Sequence, residues 1–266
     1  MRREPTVSLT YSSYLQLDRL LSSQRPQSAG PEHDEMLFIV IHQVYELWFK
    51  QLLHELDYLV TRLDADDLPT VYATLKRMLT ILKVQVAQID ILETMSPVSF
   101  LSFRSRLEAA SGFQSPQFRA LEFRLGARDR RMLAHHEGTP AHAELERRLG
   151  EPSLWDAFVA FLSRAAGFEI PDELRGRDLA LANPDTPELH PILVDLYRTG
   201  PALAQVCERL VDLDEGIQEW RYRHVKMVER TIGTKSGTGG SSGAAYLRTT
   251  LFRPLFPDLW AIRAEL

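Results

Sequence analysis

Eight histidines and one cysteine bound the chemistry that this 266-residue chain can carry. A lone Cys207 excludes an intramolecular disulfide, paired-cysteine zinc sites, iron–sulfur clusters and C-x-x-C-H haem attachment, and it fits a reducing cytoplasm. Imidazole is left as the readiest ligand for a metal or a cofactor. His33, His54, His135, His136, His142 and His190 lie near charges or in turns, where a solvated ring is the ordinary reading. His42, in "LFIVIHQVYELWF", and His224, in "EWRYRHVKMV", are instead embedded in apolar helical stretches. Such a residue is either a hydrogen-bonded core histidine or a ligand. No Glu-x-x-His pair of the di-iron type occurs, and neither does His-Glu-x-x-His, a Gly-x-Ser-x-Gly elbow or a Walker loop. His42 and Glu46, one turn apart, could share a metal, a weak coincidence. One further option is a haem-type arrangement, with one imidazole on iron and a polar group across the open face, in a slot lined by Phe38, Phe100, Phe103, Trp48 and Leu107. Phe100 and Arg104 are four apart, so a short helix would project a guanidinium from an aromatic surface, able to take a carboxylate in bidentate fashion or simply to stand in solvent. Cys207 reads as a packing residue.

Helices must position these groups. Leu37, Ile41, Val44, Trp48, Leu52, Leu56, Leu59 and Leu63 recur at helical spacing, which predicts a helix over 34–63 despite the β-branched "FIVI". A second pattern opens at Pro69 and ends before Ser96-Pro97. Ser-Pro and Thr-Pro pairs at 96–97, 115–116, 139–140 and 186–187 each suit an N-cap followed by proline in the first turn. Ser111-Gly112 reads as the end of the short helix that bears Arg104. A last long helix runs over 202–232, with Gly200-Pro201 breaking its front and Gly233 as its C-cap. Without hairpin turns or alternating strands, the expected architecture is an all-α, single-domain helical bundle over 31–266 with an N-terminal arm over 1–30, hinged at 27–31. Residues 165–186 are the least periodic and read as a surface excursion.

The charge balance excludes other classes. A net charge of −5 gives no reason to expect nucleic acid or an anionic membrane as partner. The N-terminus lacks the apolar run of a secretory signal, and the longest apolar run, 36–41, is far short of a membrane span. The stretch "GTKSGTGGSSG" over 233–243 stands out among helices as either an idle linker or a loop whose bare backbone passes close to a ligand.

Four blocks, "YSSYLQLDRLLSSQ", "HDEMLFIVIHQVYELWFKQLLHELD", "SFLSFRSRLEAASGFQSPQFRALE" and "WRYRHVKMVERTIGTKSGTGGSSG", together resemble the tryptophan 2,3-dioxygenase family and span nearly the whole chain. The resemblance implies a haem b enzyme, ferrous when active, that opens the indole ring of L-tryptophan with O2 to give N-formyl-L-kynurenine. It also implies a cytoplasmic homotetramer, a dimer of dimers. By the same resemblance His224 is the proximal iron ligand and His42 the distal histidine beside the indole nitrogen. Arg104 clamps the substrate carboxylate, Phe38 and Phe100 wall the indole pocket, and Thr238 meets the ammonium and carboxylate end. Ser111 lies near the haem edge, and Tyr11 and Tyr14 reach a neighbouring subunit's site. The glycine-rich stretch becomes a loop that closes over substrate. Threonine and serine at 234 and 236 depart from the bulkier or more basic residues of typical members. Two other readings remain: a same-fold haem enzyme that acts on a modified tryptophan or inserts one oxygen, and a non-catalytic haem or indole sensor.

Overall fold

The structure, a computed structural model, describes residues 8–30, 32–108, 110–238 and 242–266. The arm carries two short helices, α1 (Tyr11–Leu15) and α2 (Leu17–Leu21), neither of which buries a residue. Its end is tied down: the backbone N–H groups of Gln27 and Ser28 donate to the buried Glu35 carboxylate at 2.6 and 3.0 Å. Positions 27 and 28 therefore anchor the arm rather than hinge it, and Pro31 lies outside the described residues.

Helix α3 (His33–Asp64) buries Ile41, Tyr45, Phe49, Leu52, Leu56, Leu59 and Leu63, steps of three and four that keep one face toward the core. Helix α4 (Leu68–Leu92) starts where the Asp67 carboxylate accepts from Thr70 N–H, with Pro69 in the first turn. Helix α5 (Pro97–Arg104) is capped by Ser96 and α6 (Pro116–Leu125) by Ser115, each hydroxyl accepting from the backbone N–H three residues on. The other two hydroxyl-proline pairs do not cap. Helix α7 (His142–Leu149) begins two residues after Pro140, and Thr186, whose N–H donates to the Asp258 carboxylate at 2.6 Å, makes no side-chain cap.

Between α8 (Leu154–Ala166) and α10 (His190–Thr199) the chain makes only the single turn α9 (Asp172–Arg175) and a 3-10 turn over Pro187–Leu189. This 165–186 segment is irregular but fixed. Asn183 Nδ2 donates to Leu255 O at 2.8 Å while its Oδ1 accepts from Ser153 Oγ at 2.9 Å. Helix α11 (Pro201–Ile232) follows Gly200, and the chain ends with α12 (Ala244–Arg248) and α13 (Pro257–Ala261).

Helices α3 and α11 both pack on α4, and α6 and α8 pack on α3. At Gly216 in α11 a Cβ would lie 2.6 Å from Leu82 Cδ2, so glycine there lets α11 approach α4 closely. One continuous hydrophobic cluster runs from Ile41 to Ile262, and a smaller one gathers Phe123, Met132, Leu145 and Leu149. Among the described residues there is no strand, and the fold is all-α. No helix among them is long and apolar enough to cross a membrane.

Candidate active site

A cavity of about 250 Å³ opens between α3, α5, α6 and α11, and the loop that follows α11 closes one side of it. Phe38, His42, Phe100, Arg104, Ser111, His224 and Thr238, drawn from segments up to 200 residues apart, all line it. Tyr11 and Tyr14 do not; on α1 they are 77% and 73% exposed. Phe103 and Trp48 do not line it either. Phe103 is fully buried behind Phe38 and Phe100, at ring distances of 5.7 and 5.5 Å, while Trp48 packs against the main cluster. Their helical spacing is that of core, whereas Leu107 does reach the cavity.

His42 sits one turn after Phe38, with its Nδ1 2.7 Å from the Phe38 carbonyl oxygen. A carbonyl only accepts, so Nδ1 carries the hydrogen. Burial lowers the pKa of the ring below its ordinary value, outweighing the Phe38 carbonyl and the Glu46 carboxylate, so the imidazole is neutral. Its Nε2 is then a bare lone pair. The Glu46 carboxylate accepts from Gln117 Nε2 at 2.8 Å, which gives it a structural partner in place of a metal shared with His42.

His224 projects from α11 and stacks on Trp220 one turn earlier, with centroids 5.2 Å apart and planes within 7°. Trp220 is itself wedged by Tyr45, Phe49 and Phe118 at 6.2, 6.3 and 5.0 Å, so the ring of His224 rests on a packed aromatic pedestal. Burial, with a smaller contribution from His42, pushes its pKa down to about 4. It makes no hydrogen bond among the described residues and presents neutral nitrogen, the form that binds a metal.

Opposite these helices the wall is the end of α5 and the loop after α11. Arg104 Nη2 donates to Ser236 O at 2.5 Å, and Thr238 Oγ1 donates to Ala110 O at 2.6 Å. Gly243 has φ +62°, and a Cβ there would lie 2.7 Å from Lys235 O, so the neck of the loop requires glycine. Gly239, Gly240 and Ser241 lie outside the described residues. Ser111 does not end the α5 helix, which stops at Arg104 and passes into a 3-10 turn; its hydroxyl instead accepts from Phe113 N–H at 3.3 Å to start the next turn.

A buried charge group was not anticipated from the sequence. Arg119, Glu122 and Arg221 line the cavity, each at most 8% exposed. Glu122 accepts from Arg119 through one oxygen and from Arg221 Nη2 at 2.8 Å through the other, and Arg119 Nε has no partner. Two guanidiniums share one carboxylate, which leaves a desolvated net positive charge at the cavity wall. The available signal was their position: Arg119 and Glu122 sit in "QFRALEFRL", whose α6 residues from 119 to 125 are all buried. Two histidines expected to be solvated are not. His136 is 3% exposed, and His190 is held between Asp185 and Asp258 rather than solvated. Cys207 packs as expected, fully buried, with its thiol pushed up to about 12 by burial.

The family model described as tryptophan 2,3-dioxygenase matches residues 2–170 and 190–266. The protein named tryptophan 2,3-dioxygenase in Herpetosiphon aurantiacus is 59% identical over 259 residues, 97% of this chain and 99% of that one. Its namesake in Anaeromyxobacter sp. (strain K) is 58% identical over 262 residues, 98% and 97% of the two chains. The one in Caulobacter vibrioides is 44% identical over 262 residues, 97% and 98%.

Proposed function

The chain belongs to the tryptophan 2,3-dioxygenase family, haem-dependent oxidoreductases that cleave tryptophan with dioxygen, and from that premise we propose how its own residues divide the work. The group is haem b, held through His224, and the product is N-formyl-L-kynurenine. The residues fit such a group on two counts. His224 offers a neutral imidazole without a hydrogen-bond partner in an apolar slot, and the excess positive charge of Arg119 and Arg221, with Arg119 Nε unpartnered, suits the carboxylates of a porphyrin's propionates. When bound, the haem supplies the activation of dioxygen.

The rest of the work is positioning. Arg104 takes the substrate carboxylate with the guanidinium donors that the Ser236 carbonyl leaves free. Thr238 meets the ammonium end. Phe38 and Phe100, 5.7 Å apart, wall the indole. His42 Nε2, bare because Nδ1 donates to Phe38, accepts the indole N–H and fixes the ring's orientation. The loop over 233–243 closes on this assembly and excludes water. Tyr11 and Tyr14, exposed on the arm of residues 1–30, complete the cavity of a neighbouring copy in a homotetramer, and the protein works in the cytoplasm.

The single observation that carries this reading is the convergence of His42 and His224, both neutral, with Arg104 on one cavity. The test is single-turnover chemistry. Haem-loaded protein, reduced without air and then mixed with L-tryptophan and 18O-labelled dioxygen, is expected to yield N-formylkynurenine carrying both labels. A product with one label, or none formed, overturns the proposal.

A further inference from the structure

Away from the cavity, one cluster joins ligand chemistry to buried polar atoms that lack partners. Asp185 at the end of the irregular segment, His190 at the start of α10 and Asp258 in the first turn of α13 each bring one ligand atom within 4.8 Å of the others. His190 Nε2 is 2.9 Å from Asp185 Oδ1 and 3.2 Å from Asp258 Oδ1. A ring nitrogen carries one hydrogen at most, so it can donate to only one of these two oxygens at a time. Asp258 is fully buried, and its Oδ2 has no hydrogen-bond partner. Thr186, also fully buried, has a hydroxyl with no partner either, and that hydroxyl is three bonds from the N–H that holds Asp258 Oδ1 at 2.6 Å. Two carboxylates around one imidazole, beside an idle buried hydroxyl, are a polar demand that hydrogen bonds within the cluster do not meet.

A cation meets it. Nitrogen and oxygen ligands about 2.0–2.2 Å from a tetrahedral zinc stand roughly 3.4 Å from one another, so the 2.9 and 3.2 Å distances around His190 Nε2 need to widen by only a few tenths of an ångström to admit the ion. We propose that Asp185, His190 and Asp258 form a structural site for a divalent first-row metal ion, zinc above all, with water completing the coordination on the exposed side of Asp185. Imidazole with carboxylates favours zinc over magnesium or calcium, which prefer all-oxygen shells. The ion ties three pieces together. Asp185 lies in the stretch 171–189 that the family model steps over, His190 starts the helix that packs on α11, and Asp258 holds the C-terminal turn. It would thus staple the irregular segment onto the helix that carries His224.

The test uses haem-loaded protein, so that the cavity imidazoles are engaged, stripped with EDTA and desalted, then titrated with zinc chloride by calorimetry and melted with and without zinc. Wild type is expected to bind one ion per chain and to gain about 5 °C or more in Tm at hundredfold excess over Kd. Asp185→Asn, a change at the surface, should weaken that site at least tenfold and abolish most of the gain, and His190→Gln should remove both. Equal isotherms and equal melting shifts for wild type and Asp185→Asn, or no binding by either, overturn the assignment.

Discussion

The two sides of the cavity are built differently. On one side His42, Phe38 and His224 stand on the long helices α3 and α11, braced by aromatic packing and by each helix's own backbone. On the other, Arg104 and Thr238 are held by single hydrogen bonds that cross between chain segments more than 125 residues apart. A rigid helical side suits a cofactor that stays through many turnovers, because ligand geometry there must not drift. A side latched by two hydrogen bonds suits a substrate that enters and a product that leaves each time. Haem affinity should therefore answer to His224 on the helical side, and KM to the loop side.

The largest break in that division comes from Arg104→Ala. Loss of a charged partner in a dry pocket costs on the order of 2–5 kcal/mol, so KM for L-tryptophan should rise tens-fold or more while hemin affinity stays put. Steady-state kinetics beside a hemin titration would check this, and a KM within threefold of wild type removes Arg104 from the clamp.

Acid should act on the helical side. His224 has a pKa of about 4 in the fold against an ordinary 6.5, so the unfolded chain binds more protons between those values. The haem-free protein is then at full strength above pH 6.5 and loses up to about 3 kcal/mol as the pH falls toward 4, with His42 adding in the same direction. Urea unfolding of the haem-free chain at pH 7 and pH 5 would measure the loss; equal stability at the two values contradicts the half-buried, neutral pair.

Gly243→Ala tests the neck of the loop. A positive φ and a Cβ 2.7 Å from a carbonyl cost about 1–3 kcal/mol, which should appear as a several-fold to hundredfold rise in KM with the haem spectrum unchanged. Thr238→Val should have the smallest effect: loss of one neutral hydrogen bond to Ala110 raises KM by roughly fivefold. Should either variant lose haem instead, the two sides are not separable.

Much of this was legible in the sequence for local reasons. Apolar steps of three and four drew α3, α4 and α11 to within a few residues, and Ser96 and Ser115 cap because a hydroxyl needs only the N–H three residues on. Thr186 makes no such cap, and its N–H donates instead to an aspartate 72 residues away, a contact that local sequence does not carry. Periodicity also cannot tell a cavity from a core. Phe103 and Trp48 have the spacing of wall residues yet turn into packing, while Phe49, Phe118 and Trp220, read only as helix stripe or not at all, line the site. The Arg119, Glu122 and Arg221 group was hidden for the opposite reason. Charges on a helix read as a solvated face until the fold shows that the helix has none there.

Hemin titration of wild type, His42→Ala and His224→Ala, followed side by side through haem absorbance, tests the assignment of the two imidazoles most directly. His42→Ala should load haem as wild type does, and His224→Ala should weaken it a hundredfold or more. Equal loss in both variants, or tight loading of His224→Ala, would contradict the account.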